Sequence, residues 1–249
     1  MAASSQDTVT SRVVLVTGST SGIGLATAKR FAQMGDTVVF NSVHSVAAGE
    51  HLADVTPSSH YVQANVALAE DCERLIREVL ERCGQLDVLV NNVGLTKIIA
   101  HRDLEAANVD VWREIFDVNV FGTWQLCVAA MASLKASGGS IVNVSSIAGL
   151  RPTGSSIPYA ASKAALNHMT TFLAKVVGPE VRVNAVAPGL IDTPWTADWD
   201  AVRGYVRSVA PLRRSGTPED VADVIVALAT TSYVTGQIVV VDGGLSIAT

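Results

Sequence analysis

The sequence predicts an α/β fold: a single domain built as a three-layer sandwich, with a seven-stranded parallel sheet and helices on both faces. Three observations predict it. Short, β-branched, wholly apolar runs recur along the chain, and such runs mark strands buried on both faces. Helical stretches alternate with them throughout, the pattern of a parallel sheet with crossover helices. The 249 residues are 49% hydrophobic and only 16% charged, which suits one α/β domain with a large core and argues against disorder.

Residues 1–11 read as a disordered tail without the apolar core of a secretory signal. Arg12 to Thr17 is the first strand and runs into Gly18-Ser19-Thr20-Ser21-Gly22-Ile23-Gly24. A helix follows to about Met34, with Gly35 placed to cap it. Strand, glycine loop and helix form the context of a dinucleotide fingerprint. The glycines let backbone N–H groups approach a pyrophosphate, and the positive helix end adds to the attraction. The spacing is G-x-x-x-G-x-G, and a glycine loop alone is weak evidence.

The second strand is Thr37 to Ser42, followed by a short helix from Ala47 to Val55 and a third strand from His60 to Ala64. Glu70 to Cys83 has the apolar periodicity of an amphipathic helix closed by Gly84. A fourth strand, Leu86 to Val90, ends in Asn91-Asn92-Val93-Gly94. A long helical stretch, about Val109 to Ala136, is interrupted by the polar Asn119. The fifth strand leads into Ser145-Ser146, and the helix carrying Tyr159 runs to about Val177. Val181 to Ala187 is the sixth strand and ends in Pro188-Gly189. Leu190 to Pro211 reads as the longest irregular segment. Thr217 and Pro218 stand at the cap and first positions of a helix, and Gln237 to Val241 is the last strand.

Net charge is −5 with no basic run, so nothing attracts a nucleic-acid backbone. No apolar run reaches the roughly 18 residues of a membrane span. Cys72, Cys83 and Cys127 have no metal spacing and read as free thiols of a reducing, cytoplasmic compartment. No His, Cys or carboxylate cluster suggests a catalytic metal.

Tyr159 and Lys163 lie four apart at the start of a helix, which places them on one face about 5–6 Å apart at Cβ. An ammonium beside a phenol favours the phenolate, so the tyrosine could exchange a proton near neutral pH. A serine ending the preceding strand could bond the same substrate oxygen. Taken alone, the pair is an ordinary surface tyrosine and lysine. Thr17, Asn65, Asn91, Ser146 and Pro188 all fall where strands end, the edge at which open α/β sheets bind ligands.

Thr17-Gly18, Gly22-Ile23-Gly24, Asn91-Asn92-Val93-Gly94, Asn119, Ser146, Tyr159, Lys163, Pro188-Gly189 and Val241-Asp242-Gly243-Gly244 occur in order across nearly the whole chain. In this set the sequence resembles the short-chain dehydrogenase/reductase family, whose Rossmann-type domain binds NAD or NADP. Within the family it is most similar to 3-oxoacyl carrier-protein reductases and the related alcohol, sugar and steroid dehydrogenases. The resemblance implies that Tyr159 is the general acid/base and that Lys163 lowers its pKa and reaches the cofactor ribose. Ser146, thirteen before Tyr159, would polarise the carbonyl, whereas Ser145 reads as a strand-end hydroxyl bonded to backbone. Asn119 is either a core amide bonded to a helix carbonyl or the holder of a helix kink and a proton-relay water, and the two can coexist.

The resemblance also implies a cofactor set. Gly18, Ser21, Gly22, Ile23 and Gly24 would surround the phosphates, and Asn65-Val66 would flank the adenine. Asn92 and Gly94 would line the ribose side. Pro188, Gly189, Ile191 and Thr193 would frame the nicotinamide, with a plain helix cap as the other reading of Thr193. At the end of the second strand, Ser42-Val43-His44 has neither the acid that takes ribose hydroxyls nor an arginine for a 2′-phosphate. NAD and NADP stay open, with a lean to NADP.

The expected activity is interconversion of a secondary alcohol and a ketone. A cofactor-binding regulator that lost the chemistry is the alternative, opposed by the intact Asn119, Ser146, Tyr159 and Lys163. Leu95-Thr96, Ile147, Arg151-Pro152-Thr153, Trp195 and Trp199 are expected to wall the substrate pocket, with the two tryptophans favouring a moderately apolar ketone. The partners are then a small-molecule substrate and further copies of the chain as a homotetramer, packed through Val120 to Ala132 and Ala160 to Val177.

Overall fold

The computed structural model describes residues 11–248. Seven strands form one wholly parallel sheet: β1 (Val13–Val16), β2 (Thr37–Ser42), β3 (Ser59–Gln63), β4 (Val88–Asn91), β5 (Ser140–Val144), β6 (Arg182–Pro188) and β7 (Ile238–Val241). Their order is β3-β2-β1-β4-β5-β6-β7. The chain therefore reverses its direction of winding between β1 and β4, and a crevice opens at that point beyond the strand ends.

Pleating sends alternate residues to opposite faces, and the register turns this into two continuous rows. Leu15 lies beside Val39 and Leu89, Leu89 beside Ile141, and Ile141 beside Val183. This row packs under α3 (Ala69–Cys83), α5 (Thr123–Ser137) and α6 (Ile157–Val177), through Leu75, Leu126, Leu134 and Leu173. Val16, Phe40, Val90 and Val142 make a row on the opposite face, covered by Phe31 of α1 (Gly22–Gln33) and by Val221 and Ile225 of α8 (Pro218–Thr230). Helix α2 (Val46–Val55) joins β2 to β3, and Leu52 reaches the second core from it.

Two expectations change, and a third falls almost wholly outside the described residues. The tail expected over 1–11 lies outside the described residues except Ser11, whose hydroxyl donates to the Gly35 carbonyl at 2.9 Å. The segment 190–211, expected to be irregular, contains a short turn of 3-10 helix, Pro194–Thr196, and a ten-residue helix, α7 (Asp200–Val209). Val206 of α7 is buried against Ile147, Ala210 and Leu245 in a small third core. Finally, α4 (Val109–Phe116), a π-helical turn (Asp117–Gly122) and α5 form one stretch, Val109–Ser137, long and apolar enough by composition to cross a membrane. Here it is a core helix, with Leu126, Cys127, Ala130 and Leu134 buried against the sheet and α3.

The π-helical turn falls at Asn119, where the sequence shows its polar interruption. Gly122 sits within it because an added Cβ would collide with the Val66 carbonyl oxygen.

Candidate active site

The crevice holds a cleft of about 510 Å³ bounded on one side by the glycine loop and on the other by α7. Gly18 and Gly22 adopt φ of +62° and +52°, in the left-handed region that favours glycine. Gly24 is required for space, since a Cβ there would run into the Gly18 carbonyl and the Asn92 amide. That amide donates to the carbonyls of Thr17 at 2.9 Å and Gly18 at 3.1 Å, and so ties β4 to the loop. The Thr17 hydroxyl accepts from the N–H groups of Asn92 and Val93. The first turn of α1 carries no acid, and Ser21 makes no side-chain cap bond. The helix N-terminus therefore faces the cleft with open donors, a fit for a pyrophosphate.

Gly18, Ser21, Gly22, Ile23, Ser42, Asn92, Gly94, Pro188, Gly189, Ile191 and Thr193 all line the cleft together with Ser146, Tyr159 and Lys163. Gly24 supports the loop from behind. Asn65 and Val66 do not line it. The Asn65 side-chain oxygen caps the Ala67 N–H at 3.1 Å, and Val66 is buried. Ser42 is buried with its hydroxyl 2.9 Å from that of Tyr61, while His44 and Ser45 join the lining beside it. Thr193 takes part in the capping arrangement of the 3-10 turn, its N–H donating to the Thr196 hydroxyl at 3.2 Å.

Pro158 stands in the first turn of α6, and the Ser156 hydroxyl accepts the Tyr159 N–H at its N-cap. This fixes where Tyr159 enters the cleft. Ser146 lines the cleft with it and favours its phenolate form, and the Ser146 oxygen accepts the Ala148 N–H at 3.2 Å. Lys163 lies 5.7 Å from the centre of the Tyr159 ring and donates to the Val144 carbonyl at 2.9 Å. The Ser145 hydroxyl is spent on the Lys163 carbonyl.

The electrostatics differ from expectation. Burial pushes the Tyr159 phenol up to about 12, and the Ser146 hydroxyl pulls it only part of the way back. Burial also pulls the Lys163 ammonium down to about 8. The sequence led to a lowered tyrosine pKa, but loss of water outweighs the attraction of a lysine that is itself desolvated.

Asn119 is fully buried and braces the site. Its oxygen accepts the Leu95 N–H at 2.7 Å, and its amide donates to the Leu95 carbonyl and the Ser162 hydroxyl, both at 2.9 Å. Ser162 in turn donates to the Tyr159 carbonyl at 2.7 Å. The π-helical turn is thus bonded both to the loop after Gly94 and to the helix of Tyr159 and Lys163. Sequence reading missed Ser162, although it stands beside Lys163.

On the substrate side, Thr96, Ile147, Thr153, Trp195 and Trp199 line the cleft as expected, whereas Leu95, Arg151 and Pro152 do not. The missed residues are Val202, Tyr205 and Val206 of α7, with Leu245. Their signal was the spacing of Val202 and Val206, one helical turn apart. Among the described residues, no group of three or more His, Cys, Asp or Glu is placed to hold a metal ion.

Residues 18–246 match the family model described as enoyl-(acyl carrier protein) reductase. The chain is 55% identical over 236 residues to a Streptomyces violaceoruber protein named for ketoacyl reduction in the granaticin polyketide synthase, covering 93% of this chain and 95% of that one. It is 38% identical to the 3-oxoacyl-[acyl-carrier-protein] reductase of Thermotoga maritima, covering 95% and 98%. Among solved structures, a glucose/ribitol-type short-chain dehydrogenase/reductase from Brucella melitensis aligns with a TM-score of 0.88 at 30% identity, covering 94% and 96%. ElxO with NADP bound aligns with a TM-score of 0.87 at 29% identity, covering 95% and 99%.

Proposed function

Since the chain belongs to the short-chain dehydrogenase/reductase family, we propose that it interconverts a secondary alcohol and a ketone through Tyr159, acting on a 3-oxoacyl compound or another moderately apolar carbonyl. It is an NAD(P)-dependent oxidoreductase with relatives named as ketoacyl reductases. The observation that carries the reading is the meeting of Ser146, Tyr159 and Lys163 in the lining of the one cleft that the glycine loop bounds, with Lys163 5.7 Å from the centre of the Tyr159 ring.

In reduction, the ketone oxygen accepts hydrogen bonds from Ser146 and Tyr159. A nicotinamide cofactor held along the glycine loop and by Pro188, Gly189, Ile191 and Thr193 would supply the hydride for the carbonyl carbon. As charge grows on the oxygen, Tyr159 gives it the phenolic proton; in oxidation it takes that proton back. A phenol near 12 keeps its proton at neutral pH, which suits the acid of the reductive direction. Lys163, positive below about 8, stabilises the phenolate left behind and would donate to the ribose of a bound cofactor. Asn119 keeps the loop of Gly94 and the helix of Tyr159 in register, and a water bound at its kink completes the proton relay.

NADP is the proposed preference. Ser42, His44 and Ser45 offer a 2′-phosphate hydroxyls and an imidazole and no carboxylate, and the aligned ElxO structure holds NADP. Phe121, Trp124 and Val128 beside Phe172 and Val176 leave apolar side chains of the π turn, α5 and α6 exposed. They support self-association, proposed as a homotetramer; the proposed location is the cytoplasm and the proposed partner a small-molecule substrate. The test is oxidation of NADPH and of NADH by the purified chain over a panel of ketones, with cofactor affinity measured separately. Ketone-dependent oxidation, faster with NADPH, is expected. Tight cofactor binding without turnover of any ketone would favour a silent regulator.

A further inference from the structure

The polar groups on the substrate side of the cleft are mostly spent within the protein. The Thr96 and Ser155 hydroxyls bond each other, and Thr196 donates to the Ile191 and Thr193 carbonyls. The His101 ring nitrogen pairs with the Gly154 carbonyl, and Ser145 with that of Lys163. Of the neighbouring charges, Lys97 is paired with Glu114 and Arg203 with Asp192 and Asp200. Apart from Thr153 and the phenol of Tyr205 on α7, Ser146 and Tyr159 are the hydroxyls that the substrate-side lining leaves for a ligand. Opposite them stand Trp195, Trp199, Val202, Tyr205 and Val206. A ligand here gains hydrogen bonds at the Ser146–Tyr159 end and chiefly apolar contact along Trp195, Trp199, Val202 and Val206, so a polyol would leave most of its hydroxyls unpaired.

Trp195 reaches nearest the reacting point. Its ring stands edge-on to that of Tyr159, with centroids 6.3 Å apart at 86°. Its Cη2 lies 3.8 Å from where a Cβ on Gly94 would be. Even so, 51% of the residue is exposed, leaving apolar indole surface for a ligand. The turn presenting it is braced by Arg203, which donates to the Thr196 and Ala197 carbonyls and to the carboxylates of Asp192 and Asp200. A planar ring meets such a surface with little internal freedom to lose, whereas a linear acyl chain must have several rotors frozen against it.

Resting on the ketone-reductase reading above, we propose that Trp195 is a specificity-determining residue and that the substrate carries its ketone on or beside a flat apolar ring. The ring lies against the indole while the oxygen reaches Ser146 and Tyr159. The test compares kcat/KM for 2-tetralone, a fused-ring ketone, with that for ethyl acetoacetate, a linear 3-oxo ester, in the wild type, Trp195→Ala and Trp195→Phe. The wild type is expected to prefer the tetralone by at least about tenfold, and Trp195→Ala to erase most of that preference through KM, a size usual for one apolar pocket group. Trp195→Phe should keep part of it, and NADPH affinity, measured by calorimetry, should stay within about threefold, because the lost contact is to substrate. Equal or better use of the linear ester, an equal loss on both ketones, or a change confined to NADPH affinity would overturn this proposal and leave the ketone-reductase reading standing. Failure of the wild type to reduce either ketone or any of the wider panel would overturn both.

Discussion

The dinucleotide side of the cleft is built from backbone, and the substrate side from side chains. On the first, Gly18, Gly22 and Gly24 hold the chain where added Cβ atoms meet strain or collision, and the Asn92 amide locks the loop by bonding its carbonyls. On the second, α7 and the 3-10 turn offer Trp195, Val202 and Tyr205, all partly open to the cleft. A backbone cradle admits one shape, whereas a side-chain wall can be repacked residue by residue. The family's common cofactor chemistry and varied substrates follow from that division.

The largest effect should come from breaking the cradle. Gly24→Val places a branched side chain against the Gly18 carbonyl and the Asn92 amide, and cofactor affinity measured by calorimetry should fall at least about a hundredfold. Circular dichroism of the variant serves as the check on folding. Near-wild-type affinity would mean that the loop is not the pyrophosphate site.

Lys163 gives a prediction in pH. Its pKa in the folded chain, about 8 against the ordinary 10.5, means that the folded state holds fewer protons than the unfolded state between these values. Stability therefore rises with pH across that window, because the cost of burying an ammonium is relieved. The full contribution is up to about 3 kcal/mol. Denaturant melts should show this rise in the wild type and its loss in Lys163→Met. Tyr159 acts in the opposite sense at higher pH. Its pKa is raised to about 12 from 10, so the stability it contributes is present below 10 and is lost as pH climbs through 12.

The brace between the two halves should matter less. Ser162→Ala leaves the Asn119 amide without one acceptor, and kcat should fall about tenfold with little change in cofactor affinity, a loss of positioning. Asn119→Ala added to it should cost much less than the sum of the two, because both act through one bonded unit. Additive losses would separate them. The smallest effect belongs to Arg203→Ala, which frees the turn of Trp195: KM for the ketone should rise about threefold to tenfold while kcat holds. A lower kcat at constant KM would place Arg203 in the chemistry.

The same division explains what was legible in the sequence. Strands buried on both faces announce themselves by composition, and β2 falls on the expected Thr37–Ser42. The glycine loop was legible because its requirements are local. Helix α7 was not, since Trp, Asp and Pro before it suggested a loop, although Val202, Val206 and Val209 follow a helical spacing along one face. The direction of the Tyr159 pKa was out of reach, because it depends on water excluded by elements far apart in the chain. Asn65 and Val66 show the limit of position by resemblance. They follow the end of β3, yet the Asn65 side chain turns to cap Ala67 and stays off the cleft wall.

The claim that Tyr159 carries the proton is tested most directly by Tyr159→Phe, with NADPH affinity and the rate of ketone reduction measured on the same preparation. The account predicts unchanged affinity and a kcat at least about a hundredfold lower, the usual size of a lost general acid. A variant that binds NADPH equally well and reduces the ketone within a few-fold of wild type would contradict it.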